Sequence, residues 1–98
     1  MGNVNMGKVL IELFTLDSAG CAACTYTKES ADRVAGMMRE QGYDIEVAEF
    51  PVKSKENVKL MRERGVTAIP TICINGDIVF ESILPQDEEF IEEIKKRM

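Results

Sequence analysis

The chain has 98 residues, enough for one domain with a single modest core, and this length excludes a large multidomain enzyme. Apolar residues make up 45% and charged residues 30%, as in a folded globular protein, and the net charge of −5 argues against nucleic acid or an anionic membrane as partner. Three Cys and no His exclude a Ser-His-Asp triad, a Cys-His protease or a His-ligated metal site built from this chain alone.

The N-terminal part of the chain predicts a short tail followed by a strand. Residues 1–7 are polar and contain Gly, so we expect a loosely ordered tail before a single domain over residues 8–98. The apolar, β-branched run Lys8–Leu16 predicts a buried strand. Asp17–Gly20 has the composition of a turn, which leads into the first two cysteines.

A helix and a second strand are predicted next. The helix starts at Cys21 and ends near Gly42, a residue suited to a C-terminal cap. Asp44–Phe50 alternates between apolar and polar residues, which predicts a strand that ends at Pro51. The apolar face of the helix is defined by four residues at helical spacing, namely Ala31, Val34, Ala35 and Met38.

The second half of the chain predicts two further helices and a hairpin. Ser54 and Gly65 suit the two ends of a short helix. Asn75-Gly76 favours a tight hairpin turn because both positions tolerate positive φ. The hairpin strands are predicted over Thr71–Ile74 and Asp77–Glu81, and the last helix follows Pro85 with an apolar stripe of Phe90, Ile91, Ile94 and Met98.

This order of elements indicates an α/β fold. A strand-helix-strand unit favours a parallel pair, whereas the Asn-Gly turn adds an antiparallel pair. We therefore expect one mixed four-stranded sheet covered by helices, in the order β-α-β-α-β-β-α.

Cys21 and Cys24 carry the predicted chemistry. At a helix start the first thiol lies beside unpaired backbone N–H groups, which favour the nucleophilic thiolate. Cys21 is the expected attacking residue, and Cys24 is expected to resolve the mixed disulfide. A structural disulfide and half of a zinc site are alternatives. The odd number of Cys and the lack of a signal-peptide pattern argue against a structural disulfide and predict a cytoplasmic protein. A zinc site needs about four ligands, and three thiols without an imidazole do not supply them.

The third cysteine, Cys73, is predicted to be an inert core thiol. Strand alternation places it on the same face as Thr71, and free Cys is among the most buried residue types. The functional alternative is a third redox-active or cluster-ligating sulfur.

Two segments of the chain resemble the thioredoxin and glutaredoxin superfamily. They are Gly20–Cys24 (GCAAC) after a strand and Gly65–Ile72 (GVTAIPTI), which continues into the Asn-Gly turn. The pattern over residues 8–98 is most similar to the small glutaredoxin-like thioredoxins of archaea and anaerobic bacteria. The resemblance implies a thioredoxin-like fold, with Pro70 in the cis form facing the CxxC motif, shaping the substrate groove and keeping metal off the thiols. It also implies that the backbone of Ile69 pairs with an extended substrate.

Other residues near the motif are weaker candidates or depart from the family pattern. Tyr26 and Lys28, just beyond the CxxC motif, are candidates for the edge of the substrate groove. Thioredoxins carry a buried strand Asp six residues before the first Cys, where this chain has Thr15, so Glu12 or water is the suggested proton carrier. Ala22-Ala23 between the cysteines matches neither Gly-Pro nor Pro-Tyr, and Phe80–Pro85 lacks the Gly-Gly of glutathione-binding members.

The leading functional hypothesis is a thiol-disulfide oxidoreductase that reduces protein disulfides through the CxxC dithiol. The expected partners are disulfide-containing proteins and a flavoprotein or ferredoxin-linked reductase, and the expected state is a monomer without cofactor, metal or membrane contact. One alternative is a carrier of an iron-sulfur cluster or soft metal that uses the same cysteines. A second alternative is a docking module without redox chemistry.

Overall fold

The computed structural model describes residues 8–16 and 21–98. The elements follow the predicted order and confirm the thioredoxin-like fold class. The predicted tail over residues 1–7 and the predicted turn Asp17–Gly20 lie outside the described residues. The elements are β1 (Val9–Thr15), α1 (Ala22–Glu40), β2 (Ile45–Pro51), α2 (Lys55–Arg64), β3 (Thr71–Ile74), β4 (Asp77–Glu81) and α3 (Asp87–Lys95).

The four strands form one mixed sheet in the order β2-β1-β3-β4. β1 and β2 are parallel, as a strand-helix-strand unit requires, and β3 and β4 are antiparallel. The turn between β3 and β4 has φ of 51° at Asn75 and 87° at Gly76, which is the left-handed geometry that these residues adopt cheaply. β1 also pairs antiparallel with β3, with Phe14 opposite Thr71. The end of β1 therefore lies beside the start of β3.

The sheet separates two apolar clusters. On the side of α1 and α3, residues of the sheet such as Ile11 and Ile72 pack with Ala31, Val34 and Phe90 of the helices. The smaller cluster, on the side of α2, contains Phe14, Val66 and Cys73, with Leu60 and Met61 packed against it. The alternation predicted for β3 is thus confirmed, because Ile72 and Cys73 belong to opposite clusters.

A few boundaries differ from the sequence predictions. β2 includes Pro51, which a sheet tolerates because β2 is an edge strand and need not donate a hydrogen bond on its outer side. α3 ends at Lys95, and Met98 beyond it is 40% exposed, so Met98 does not join the buried stripe. α2 has no fully buried side chain, although Leu60 and Met61 contact the smaller cluster.

Candidate active site

The two closely spaced cysteines lie at the start of α1. Cys21 is the N-cap residue with extended backbone (φ −135°, ψ 101°), and its sulfur accepts a hydrogen bond from the Cys24 N–H at 3.1 Å. The structure shows them as a disulfide, with Cα atoms 5.2 Å apart, inside the range that a disulfide needs. The first turn of α1 carries no acidic side chain, so nothing within that turn offsets the positive field of its free N–H groups.

The two sulfur-bearing residues differ in exposure. Cys24 is completely buried, whereas Cys21 is partly exposed. The Leu16 N–H at the end of β1 donates to Cys24 Sγ at 3.4 Å, which ties the inner sulfur to the sheet. An incoming molecule can therefore reach Cys21 but not Cys24.

Pro70 lies at the same end of the sheet. The Ile69–Pro70 peptide bond is cis, as the resemblance implied, and Pro70 is buried. It directly precedes β3, and the first residue of β3, Thr71, is paired with Phe14 near the end of β1. The Ile69 side chain packs against the cluster on the α2 side. The structure thus brings Pro70 and Cys24 to one edge of the sheet.

The segment after β4 is held against Pro70. The Ser82 N–H donates to the Pro70 carbonyl at 2.7 Å, and Ser82 has a φ of 55°, which is uncommon for a residue with a side chain. Ile83 and Leu84 follow directly and are 59% and 49% exposed. Two large exposed apolar side chains therefore follow directly after the residue that is hydrogen-bonded to Pro70.

Tyr26 and Lys28 lie on the outer side of α1. Tyr26 is 64% exposed and shares an open depression of about 380 Å³ with three neighbours from the first turns of the helix, Ala22, Thr25 and Glu29. The Lys28 ammonium lies 2.9 Å from Asp32, and this hydrogen bond, with a smaller contribution from Glu49, raises the pKa of Lys28. Lys28 thus belongs to a surface ion pair and not to the first turn beside Cys21.

Cys73 lies on the other side of the sheet. It is completely buried in the cluster facing α2, and burial together with the nearby Glu12 raises the pKa of its thiol to about 11. A thiol with such a pKa is protonated at neutral pH and is a poor nucleophile. This placement favours the prediction of a core thiol.

Glu12 is also on the α2 side and is held in an ion pair. It is 3% exposed, and its two carboxylate oxygens accept hydrogen bonds from Arg64 Nε at 2.9 Å and Arg64 Nη2 at 3.0 Å. Strand alternation places it on the same face as Phe14, away from α1. Glu12, suggested from the sequence as a proton carrier, is therefore on the face opposite to Cys24.

A different carboxylate, Glu49, which was not among the candidates from the sequence, lies on the α1 side. The Thr15 hydroxyl is fully buried and donates to Glu49 Oε2 at 2.9 Å. The available signal was the alternation of β2, because Ile45 and Val47 contact the α1 cluster and Glu49 continues the same face.

The described residues include no group of three or more His, Cys, Asp or Glu side chains that could hold a metal ion. Within the same ranges, no helix combines the length and the apolar character needed to cross a bilayer.

The chain is similar to known proteins in both sequence and structure. A family model described as a thioredoxin domain matches residues 9–96. A thioredoxin of Methanocaldococcus jannaschii is 41% identical over 93 residues, which cover 95% of this chain and 100% of that protein. A solved thioredoxin-2 of a malaria parasite has a TM-score of 0.67 at 24% identity, with 96% of this chain and 88% of that chain covered. Fasciola hepatica thioredoxin has a TM-score of 0.66 at 20% identity, with 94% and 83% covered.

Proposed function

The chain belongs to the thioredoxin family, whose members are thiol-disulfide oxidoreductases, and we propose that it reduces disulfide bonds in proteins. The observation that carries the proposal is the Cys21–Cys24 pair at the start of α1, with one sulfur accessible and the other buried. Cys21 attacks the substrate disulfide as a thiolate, and Cys24 then attacks Cys21 to release the reduced substrate.

The surroundings of Cys21 support its role as the attacking thiol. The Cys21 sulfur accepts from the Cys24 N–H in the disulfide, and the N-terminal field of α1 favours a thiolate at this position. No imidazole is present in the chain, so this activation depends on backbone N–H groups and the helix field.

The surface around the motif supports a protein substrate. Leu16, Tyr26, Ile83 and Leu84 are exposed apolar side chains on segments that adjoin Cys24 or Pro70, and we name them the apolar rim. Such side chains suit contacts with an apolar peptide segment better than with a small polar thiol such as glutathione. The backbone of Ile69, whose side chain is turned into the core, then pairs with the extended substrate, and Pro70 shapes the groove.

The remaining parts of the proposal concern the cellular setting. A dithiol that reduces proteins must be regenerated, so we propose a flavoprotein or ferredoxin-linked reductase as its electron donor. The protein acts as a monomer in the cytoplasm, where thiols are kept reduced. The alternative of a cluster or soft-metal carrier that uses Cys21 is not favoured, because Cys21 and Cys24 lie at disulfide distance in a chain of the thioredoxin family. Cys73 lies across the sheet from this pair, so it does not join them as a third sulfur ligand.

Insulin disulfide reduction with dithiothreitol as donor tests the proposal. Cys21→Ser is expected to abolish turnover, because it removes the attacking sulfur. Cys24→Ser, reduced beforehand, freed of dithiothreitol and then mixed with insulin, is expected to stop after one attack and to accumulate a mixed disulfide between Cys21 and insulin, visible by mass spectrometry under non-reducing conditions.

Cys73→Ser is the matched control, since it removes a sulfur without touching the CxxC motif. It is expected to retain turnover. If Cys21→Ser or Cys24→Ser reduced insulin at the rate of the unchanged protein, the proposed function would be wrong.

A further inference from the structure

The inner cysteine is bordered by a polar pair that joins two strands. The Leu16 N–H donates a hydrogen bond to Cys24 Sγ. The neighbouring residue Thr15 is fully buried, and its hydroxyl donates to Glu49 Oε2 at 2.9 Å. Thr15 and Glu49 both lie on the α1 side of the sheet, which is the side from which α1 carries Cys24. A carboxylate is therefore anchored at Thr15, and the neighbouring residue Leu16 is hydrogen-bonded to the buried sulfur that must lose a proton.

Charged side chains of α1 and β1 relate to this carboxylate in different ways. From α1, Lys28 is close enough for the charge of Glu49 to contribute to its raised pKa, although its main partner is Asp32. From β1, the ionisable side chain Glu12 is on the opposite face and is neutralised by Arg64. Among the charged side chains of the described residues, Glu49 is thus the carboxylate anchored beside the end of β1 on the Cys24 side.

We propose that Glu49 is the proton acceptor for Cys24 and that Thr15 positions its carboxylate. In the mixed disulfide, Cys21 Sγ is bonded to a substrate sulfur and Cys24 is a thiol. Glu49 takes the Cys24 proton, the Cys24 thiolate bonds to Cys21 Sγ, and the bond between Cys21 and the substrate breaks. The electron pair leaves with the substrate sulfur, which takes a proton from water, and Glu49 returns its own proton to water. Two electrons pass from the dithiol to the substrate.

The buried setting favours such a group. A thiol without solvent contact exchanges its proton with bulk water slowly, and burial favours its neutral form. A carboxylate that reaches the thiol lowers that barrier, and proton transfer by a positioned group is worth roughly 10²–10⁴-fold in rate. The strand carboxylate expected from the family pattern is replaced in this chain by a hydroxyl, and the carboxylate enters from β2 instead.

This inference rests on the proposed function, and a reaction with two observable steps tests each of them separately. The reduced full-length protein is mixed with dithiobis(nitrobenzoic acid) in a stopped-flow instrument. Attack by Cys21 releases the first coloured thiol, and attack by Cys24 on the resulting mixed disulfide releases the second. Glu49→Gln keeps the hydrogen-bonding shape but cannot accept the proton. We expect it to leave the first phase unchanged and to slow the second by about tenfold or more near neutral pH.

The pH profile distinguishes proton transfer from a structural role. With Glu49 present, the second phase is expected to vary less with pH near neutrality than it does in Glu49→Gln, because the carboxylate and not hydroxide takes the proton. In Glu49→Gln the rate of the second phase is expected to rise in proportion to the hydroxide concentration, because hydroxide must then remove the Cys24 proton. Thr15→Val, which removes the positioning hydroxyl at nearly constant shape, is expected to slow the second phase by less than Glu49→Gln does.

Two further variants serve as controls. Glu46→Gln removes an exposed carboxylate from the same strand, where it pairs with Lys8, and is expected to leave both phases unchanged. Glu49→Asp retains a carboxylate and is expected to recover part of the second-phase rate. A second phase in Glu49→Gln within about twofold of the unchanged protein, or equal slowing of both phases, would overturn the inference alone. Absence of the first phase in the unchanged protein would instead contradict the proposed function.

Discussion

At the scale of single residues, the fold gives its three sulfurs different chemistry. Cys21 is at a helix start with an N–H directed at its sulfur, and Cys24 is buried below it. Cys73 is buried among apolar side chains on the opposite side of the sheet, where its pKa is raised to about 11. Position relative to a helix start and to solvent, and not the residue type, therefore decides which sulfur can react.

The raised pKa of Cys73 predicts a loss of stability in alkali. Its ordinary pKa is 9.0, so between pH 9 and about 11 the folded protein holds a proton that the unfolded chain releases. Stability from this group is complete below pH 9 and falls as the pH rises towards 11. Urea unfolding of the reduced protein should show that Cys73→Ala loses less stability over this window, by about 1–2 kcal/mol. Equal losses in both proteins would show that Cys73 ionises normally in the folded state.

At the scale of secondary-structure elements, α2 is the helix with the weakest apolar attachment. None of its side chains is fully buried, and its ends are fixed locally by the Ser54 side chain, which accepts from the Asn57 N–H, and by Gly65 at φ 78°. Its last residue, Arg64, makes the two-point ion pair with Glu12 of β1. We infer that this pair anchors the end of α2 to the sheet.

Removal of Arg64 is expected to destabilise the protein. Arg64→Ala leaves Glu12 buried without its counter-charge, and breaking one partner of a buried pair is strongly destabilising. Breaking a fully buried pair costs roughly 3–5 kcal/mol. Because a third of the Arg64 side chain is exposed to screening solvent, we expect a smaller loss, about 2–3 kcal/mol in the free energy of unfolding by urea.

Two further variants distinguish the loss of the ion pair from other effects of changing α2. Arg62→Ala removes an exposed positive charge from the same helix and is expected to change stability by less than about 0.5 kcal/mol. Glu12→Leu combined with Arg64→Ala removes both charges and should recover most of the loss. If the double variant were as unstable as Arg64→Ala, the buried charge would not be the cause.

At the scale of the whole molecule, the order of the helices and strands and the pairing of Cys21 with Cys24 could be predicted from the sequence. The predictions came from local patterns: the Asn75-Gly76 turn, the alternation that separates Ile72 from Cys73, and the short CxxC spacing. These signals act over a few residues, so they are visible without a structure.

The polar contacts between residues far apart in the chain could not be predicted in the same way. Thr15 and Glu49 are 34 residues apart, and Glu12 and Arg64 are 52 apart. Whether such residues meet depends on strand register and on where a helix ends, which local patterns do not define. Glu12 was therefore suggested for a role that its ion pair on the opposite face does not suit.

The central claim is that Cys21 and Cys24 form a reversible dithiol that serves as a reductant. It is tested most directly by equilibrating the protein across a series of thiol-disulfide buffers and counting alkylated cysteines by mass spectrometry. We expect one two-electron transition, assigned to Cys21 and Cys24, that lies nearer to about −270 mV, the value of thioredoxin, than to about −120 mV. A transition near −120 mV, typical of a disulfide-forming oxidant, or no transition at these two residues, would contradict the account.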